Sequence, residues 1–167
     1  YIMYSEDGVY WDHFNTGLEY SYSKCFYHKP SKNFFAITGN GKIVKWDSFD
    51  RVASYNSPAV DEVQYAEKEV RAAFNDYVIV GEQIVIVGNS GTILRGTIDK
   101  LGNISLTNVN PDKKITANTL SAIIYNEGML IAVGHKGTIL RSSDMGRTWI
   151  LMSSGVSYNL TDICYHK

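Results

Sequence analysis

Cysteine is scarce in this 167-residue chain: there are two, Cys25 and Cys164. Neither belongs to a CxxC pair or to a Cys/His spacing that holds zinc, which excludes a metal-stapled or disulfide-dense scaffold. An excess of one charge is missing too. Sixteen Lys and Arg against 17 Asp and Glu leave a formal net charge of -1, and the basic residues form no run. No field therefore favours nucleic acid or an anionic membrane surface. Apolar runs are short, and none approaches the roughly 20 residues that span a bilayer. The opening YIMYSEDG has neither the charged nor the apolar region of a secretory leader. Nucleophile elbows, P-loops and HExxH are absent as well. Neither a cofactor nor a metal is expected, and no residue is assigned a catalytic role.

What is present is repetition. The octet GNSGTILR at Gly88–Arg95 returns 46 residues later as GHKGTILR at Gly134–Arg141, with six of eight positions identical. Trp11–Lys29 also aligns without a gap to Trp149–Lys167, an offset of 138 with six of 19 positions identical. Since 138 is three times 46, one period near 46 residues organises the chain. A degenerate copy, GNGKIVKW, lies at Gly39–Trp46, and the opening Ile2–Ser5 aligns with Ile139–Ser142.

Each period reads as short strands divided by Gly, Asn, Asp and Ser. First strands are placed at Cys25, at Ala72 and over Val70–Phe74, at Ala122 and at Ile163. Second strands fall at Phe34, Ile84 and Leu130, third strands at KIVKW, TILRG and TILRS, and fourth strands at Tyr10 and Thr148. Four strands in such a period make one propeller blade. Runs such as IVIV lack polar alternation, as strands covered on both faces do. The expected fold is all-β: a partial β-propeller of four-stranded antiparallel blades, about 46 residues per repeat. Residues 1–167 divide into a blade end (1–19), three blades (20–65, 66–115, 116–157) and the first strand of a further blade (158–167). Ala59–Phe74, with mixed spacing, reads as a loop leading into a strand, a short helix being the alternative.

After its second octet the chain continues SSDMGRTW, Ser142–Trp149, fitting S-x-D-x-G-x-T-W. Ser5–Trp11 fits the shortened S-x-D-G-x-x-W, and Asp99 with Gly102 keeps a trace. This pattern resembles the Asp-box, or BNR repeat, of sialidases and related β-propellers. The lead-in VGxxGTILRS resembles the propeller group that includes photosystem II assembly factors. The chemistry suits a staple: carboxylate and hydroxyl hold turn backbone, and Trp covers the hairpin. Ser5, Asp7, Gly8, Trp11, Ser142, Asp144, Gly146, Thr148 and Trp149 are accordingly read as structural. Asp7 and Asp144 are three repeats apart, too distant for a catalytic pair.

The resemblance places such boxes on the side opposite the ligand face. The second-to-third strand turns and inter-blade connections would then form that face, with Tyr20, Asn40, Arg71, Asn89, His135, Lys136 and Tyr158 as candidate contacts. Loops that vary on a repeating frame commonly carry recognition. Non-catalytic recognition or scaffolding of a protein or glycan is the leading reading. Part of a sialidase-like glycoside hydrolase is the alternative, and a structural component of an extracellular or phage-like assembly the second. The resemblance favours an extracellular or cell-surface setting. Of the five arginines, Arg51, Arg71, Arg95, Arg141 and Arg147, only Arg71 suits a ligand-lining role; Arg95 and Arg141 share one structural repeat position. Asn103 and Asn159 open glycosylation sequons by pattern.

Cys25 and Cys164 fall one position out of phase, three blades apart, so they cannot bridge and are read as buried thiols. The chain carries about 3.6 repeats, whereas closed propellers have 4 to 8 blades. Ring closure is thus expected from the remaining blades of a parent chain or from a second copy.

Overall fold

The computed structural model describes residues 2–5, 7–47, 60–65 and 70–166. Strands β1 (Ile2–Tyr4) and β2 (Asp12–Phe14) form a two-stranded antiparallel sheet. Three four-stranded antiparallel sheets follow in chain order. The first comprises β3 (Tyr22–His28), β4 (Asn33–Thr38), β5 (Ile43–Trp46) and β6 (Asp61–Glu62). The second comprises β7 (Phe74–Val80), β8 (Gln83–Gly88), β9 (Ile93–Ile98) and β10 (Ile104–Asn108). The third comprises β11 (Leu120–Asn126), β12 (Met129–Gly134), β13 (Ile139–Ser142) and β14 (Ile150–Met152). Each sheet is a simple meander, because consecutive strands joined by tight turns pair antiparallel.

The sheets stack face on face, which explains the runs without alternation. In β8, Ile84 and Ile86 face the first sheet, joining Phe35, Ile37 and Ile43 in one core. The intervening Val85 and Val87 face the third sheet, joining Leu120, Ile123, Leu130, Ala132 and Leu140. A third cluster seats Ile2 of β1 against Ala36, Val44 and Trp46. Burying each such side chain contributes roughly 1.5–3 kcal/mol, and every layer depends on the next to hide its apolar face. This arrangement is a partial β-propeller.

Several sequence expectations change. The spacing is 46 residues between the starts of β7 and β11 but 52 between those of β3 and β7; the extra length lies in the connection that includes 48–59. The first strand of the second blade begins at Phe74, not Val70 or Ala72, because Val70 and Ala72 instead lie across the Gly41 turn. Of Ala59–Phe74, Asp61–Glu62 is the fourth strand of the first blade, and residues 59 and 66–69 lie outside the described set. Beyond β14, residues 153–166 form no strand.

Both cysteines are free, but they are exposed rather than buried. Cys25 pairs across the ladder with buried Ala36 and so faces β1–β2. That sheet has two strands where the first blade has four. Cys164 sits in the segment after β14 that forms no strand.

Candidate functional site

Two ends of the stacked sheets carry different chemistry. At one end lie the turns between third and fourth strands. In the β13–β14 turn, Asp144 Oδ1 accepts from the Thr148 N–H (2.9 Å) and the Ser142 hydroxyl (2.8 Å), while Oδ2 accepts from the Thr148 hydroxyl (2.7 Å). Ser142 Oγ accepts the Gly146 N–H at 2.9 Å, and the Trp149 indole donates to the Gly146 carbonyl at 3.1 Å. In the β1–β2 turn, Asp7 Oδ1 accepts from the N–H groups of Val9 and Tyr10, both at 2.8 Å, and Ser5 Oγ accepts that of Gly8 at 2.8 Å. The trace at Asp99 is a full turn as well. Its carboxylate accepts from the Leu101 and Asn103 N–H groups (2.8 and 2.9 Å) and from the Asn103 amide (2.8 Å). The Asn103 amide of that sequon is thus engaged.

Donors converging on an anion stabilise it. Hydrogen bonds from the Thr148 hydroxyl and N–H hold the Asp144 carboxyl down from 3.8 to about 2. Asp7 is lowered by the N–H groups of Tyr10 and Val9, and Asp99 by the side chain and backbone of Asn103. A carboxylate saturated by its own turn is a poor general acid or base.

At the other end lie the second-to-third strand turns and the inter-blade connections. A Cβ at Gly41 would collide with the Val70 carbonyl oxygen, at Gly91 with that of Thr116, and at Gly137 with that of Val156. One glycine in each repeat therefore lets the chain bound for the next position cross directly over the turn. The predicted contacts gather on these turns and connections, though several are occupied internally. The Tyr20 phenol donates to the Glu62 carboxylate, which also meets Lys42 Nζ at 3.3 Å. Asn40 accepts the Thr38 hydroxyl (2.5 Å), and Asn89 the Asn75 amide (3.0 Å). The His135 carbonyl accepts the Thr138 hydroxyl at 2.7 Å, and the Lys136 N–H donates to Asn159 Oδ1 at 3.1 Å. Arg71, Lys136 and Tyr158 are exposed. Lys136 borders an open groove of about 540 Å³ with Thr116, Asn118, Met152 and Ser153–Ser157. Arg51 and residues 54–59, the first half of the connection from the first blade to the second, lie outside the described residues.

The first strands carry contacts that sequence reasoning missed. β3, β7 and β11 each bulge at the same place, at Tyr22/Lys24, Phe74/Asp76 and Leu120/Ala122. At the middle bulge, Asp76 accepts the Ile123 N–H of the third blade (3.0 Å) and lies 3.6 Å from Lys24 Nζ of the first. Asn75 donates to the Leu120 carbonyl at 2.8 Å. One carboxylate thus ties three blades, and nothing in the repeat pattern marks it, since its counterparts are Lys24 and Ala122. Beside it a cleft of about 440 Å³ opens among Lys24, Phe26, Tyr27, His28, Tyr77 and Ile79. Within the cleft the Phe26 and Tyr77 rings lie 4.6 Å apart and His28 Nδ1 sits 2.9 Å from Ser31 Oγ. Burial pushes the His28 pKa down, opposed by the charge of Asp99.

Among the described residues no His, Cys, Asp and Glu group could hold a metal, and no helix is long and apolar enough to cross a membrane. Arg95 is committed between blades: its Nε donates to the Met145 carbonyl and its Nη2 to Gln83 Oε1, both at 2.9 Å.

Stacked four-stranded meanders with their loops gathered at two ends define a class, the β-propellers, and this chain forms a segment of one. No protein-family model matches it, and no curated protein matches it in sequence. Among solved structures it is similar to one described as YCF48 bound to D1 peptide, with a TM-score of 0.57 and 16% identity. The match covers 79% of this chain and 39% of that one. At that identity the likeness shows the fold, and the chain spans well under half of that structure's length.

Proposed function

We propose that this segment is a non-catalytic recognition module, and that its partner is a protein segment docked on the end formed by the Gly41, Gly91 and Gly137 turns. The observation that carries the reading is the contrast within each repeat. Sheets and glycines recur, while the turns between those glycines differ in length or residues: Asn40 alone, Asn89 with Ser90, and His135 with Lys136. A fixed frame with varied loops is how repeat folds generate specificity. The peptide held by YCF48, whose fold is shared, supports a protein over a glycan. On the same reading the Asp7, Asp99 and Asp144 turns are Asp-boxes that staple the opposite end. Residues 158–166 form no strand, but the Leu160 N–H donates to the Gly134 carbonyl and the Tyr158 carbonyl accepts from the Gly137 N–H, which supports reading 158–167 as the start of a further blade; the ring is then closed by more of the same repeat, from a parent chain or a second copy.

The test is a screen of extended peptides and a glycan array against the isotope-labelled chain, read by amide shifts. Binders should move signals at Arg71, Asn89, Lys136 and Tyr158 and leave the Asp144 turn still. Shifts confined to the Asp144 turn would sink the assignment of faces. Turnover of a fluorogenic sialoside, abolished by Arg71→Ala, would replace recognition by the sialidase-like hydrolase reading.

A further inference from the structure

Every blade has a donating face, turned towards the next blade, and a receiving face, turned back. In the joint between the second and third blades, the donating face presents Val85, Val87 and Ile93 with Arg95. The receiving face presents Leu130, Ala132, Leu140 and Trp149, and its Asp144 turn offers the Met145 carbonyl to Arg95. A cation recurs in the preceding joint, where Lys45 borders a cleft with Gly102 and Asn103 of the Asp99 turn.

Among the described residues, the two outermost faces repeat these halves with no further sheet set against them. On the third sheet, Ile131, Ile139 and Arg141 take the places of Val85, Ile93 and Arg95, and they share that side with Ile150 and Met152. Ile150 and Arg141 are exposed. Ala122 and Val133, on the same side, are buried where the following segment bonds to Gly134 and Gly137. At the opposite end of the stack, Met3 takes the place of Leu140 and Trp11 that of Trp149, and they are 63% and 61% exposed. The Asp7 turn beside them has nothing within 4 Å of where a Gly8 Cβ would be. A charge matches as well: Arg141 on the donating face, and the Asp7 carboxylate in the turn that borders the receiving one.

We infer that two copies of this chain associate head to tail, the Ile131–Ile139–Arg141 face of one seating the Met3–Trp11 face and Asp7 turn of the next. The inference rests on the propeller reading above and supplies the contact for ring closure by a second copy. In the internal joint β12 contributes Leu130 and Ala132 to the receiving face. The β1–β2 sheet has no second strand of this kind. The joint between copies therefore buries less than the internal one, and it is expected as a reversible equilibrium, not a permanent dimer.

Sedimentation velocity of the 167-residue chain over a wide concentration range is the experiment, with Arg141→Glu and Trp11→Ala as single variants. The wild type should associate with rising concentration. Each variant alone should weaken association at least about tenfold. An equimolar mixture of the two should recover dimers and nothing larger, because one intact joint remains per mixed pair. In a Cys25→Ser, Cys164→Ser background, Met3→Cys with Ile131→Cys should give an intermolecular disulfide under mild oxidation. A wild type that stays monomeric up to its solubility limit, or association indifferent to both variants, overturns the inference. So does a mixture that fails to recover. Circular dichroism confirms that each variant is folded; if Trp11→Ala is not, Arg141→Glu and the disulfide decide. A monomer that still binds peptide at the loop end would refute this joint while leaving the recognition reading standing.

Discussion

The Asp7 and Asp144 turns share Ser, Asp, Gly and Trp, and in both the carboxylate and the Ser hydroxyl accept from backbone N–H groups of the turn, yet they live in different surroundings. At Asp144 the turn is packed: Val85 of the preceding blade lies 3.3 Å from where a Gly146 Cβ would be, Arg95 donates to Met145, and the Trp149 ring joins a core. At Asp7 the same device stands in solvent, with Trp11 exposed. The difference separates two jobs that the motif performs. Closing the turn is local and needs only the motif. Fastening blade to blade requires a donating face opposite.

The sharpest way to break this comparison is to remove both tryptophans in turn. Trp149→Ala should cost about 3 kcal/mol, the lower end for truncating a packed aromatic. Trp11→Ala should stay within about 0.5 kcal/mol, as exposed positions do. Urea unfolding at concentrations that keep the chain monomeric checks both, and equal losses would mean that the tryptophan acts within its own hairpin. Next in size is Asp76→Ala, which leaves the Ile123 N–H and Lys24 without their shared acceptor. A loss of about 2 kcal/mol is expected, with faster hydrogen exchange at Ile123 as its signature.

Arg95→Met against Arg141→Met tests the joint itself. The first deletes a charge-assisted bond between blades and should cost about 1.5 kcal/mol. The second, at the same repeat position, loses only an exposed bond to Met129 Sδ in its own blade and should stay within about 0.5 kcal/mol. The smallest effect is in acid. Asp144 is held at about 2, below the ordinary 3.8. Its carboxylate therefore favours the folded state fully above about pH 4, and that contribution fades as pH falls towards 2. Asp144→Asn should flatten the stability curve across that window in pH-stepped melts. Asp7→Asn should flatten it less, because the Asp7 carboxylate has no counterpart to the Thr148 hydroxyl bond.

Much of this architecture was legible in the residues. The octets at Gly88 and Gly134 and the Trp11–Trp149 offset gave the period, and uninterrupted runs such as IVIV marked strands covered on both sides. The Asp99 turn showed as a trace because one Asp and one Gly suffice to close it. Other features left no mark. The first-strand bulges add one residue without altering composition. Asp76 ties three blades from a position that carries Lys in one repeat and Ala in another. Cys25 read as buried because its strand is apolar and aromatic, but burial there depends on the width of the neighbouring sheet.

The amino-acid sequence by itself determined what is settled within a few residues: where the chain turns, which carboxylates close on their own backbone, and where a turn calls for glycine. Only the tertiary structure decided which of two related motifs is covered, which arginine has a carbonyl to reach and that both thiols meet water. The reason is physical. A turn's hydrogen bonds are satisfied by its own chain, whereas the burial of a face belongs to whatever stands across from it.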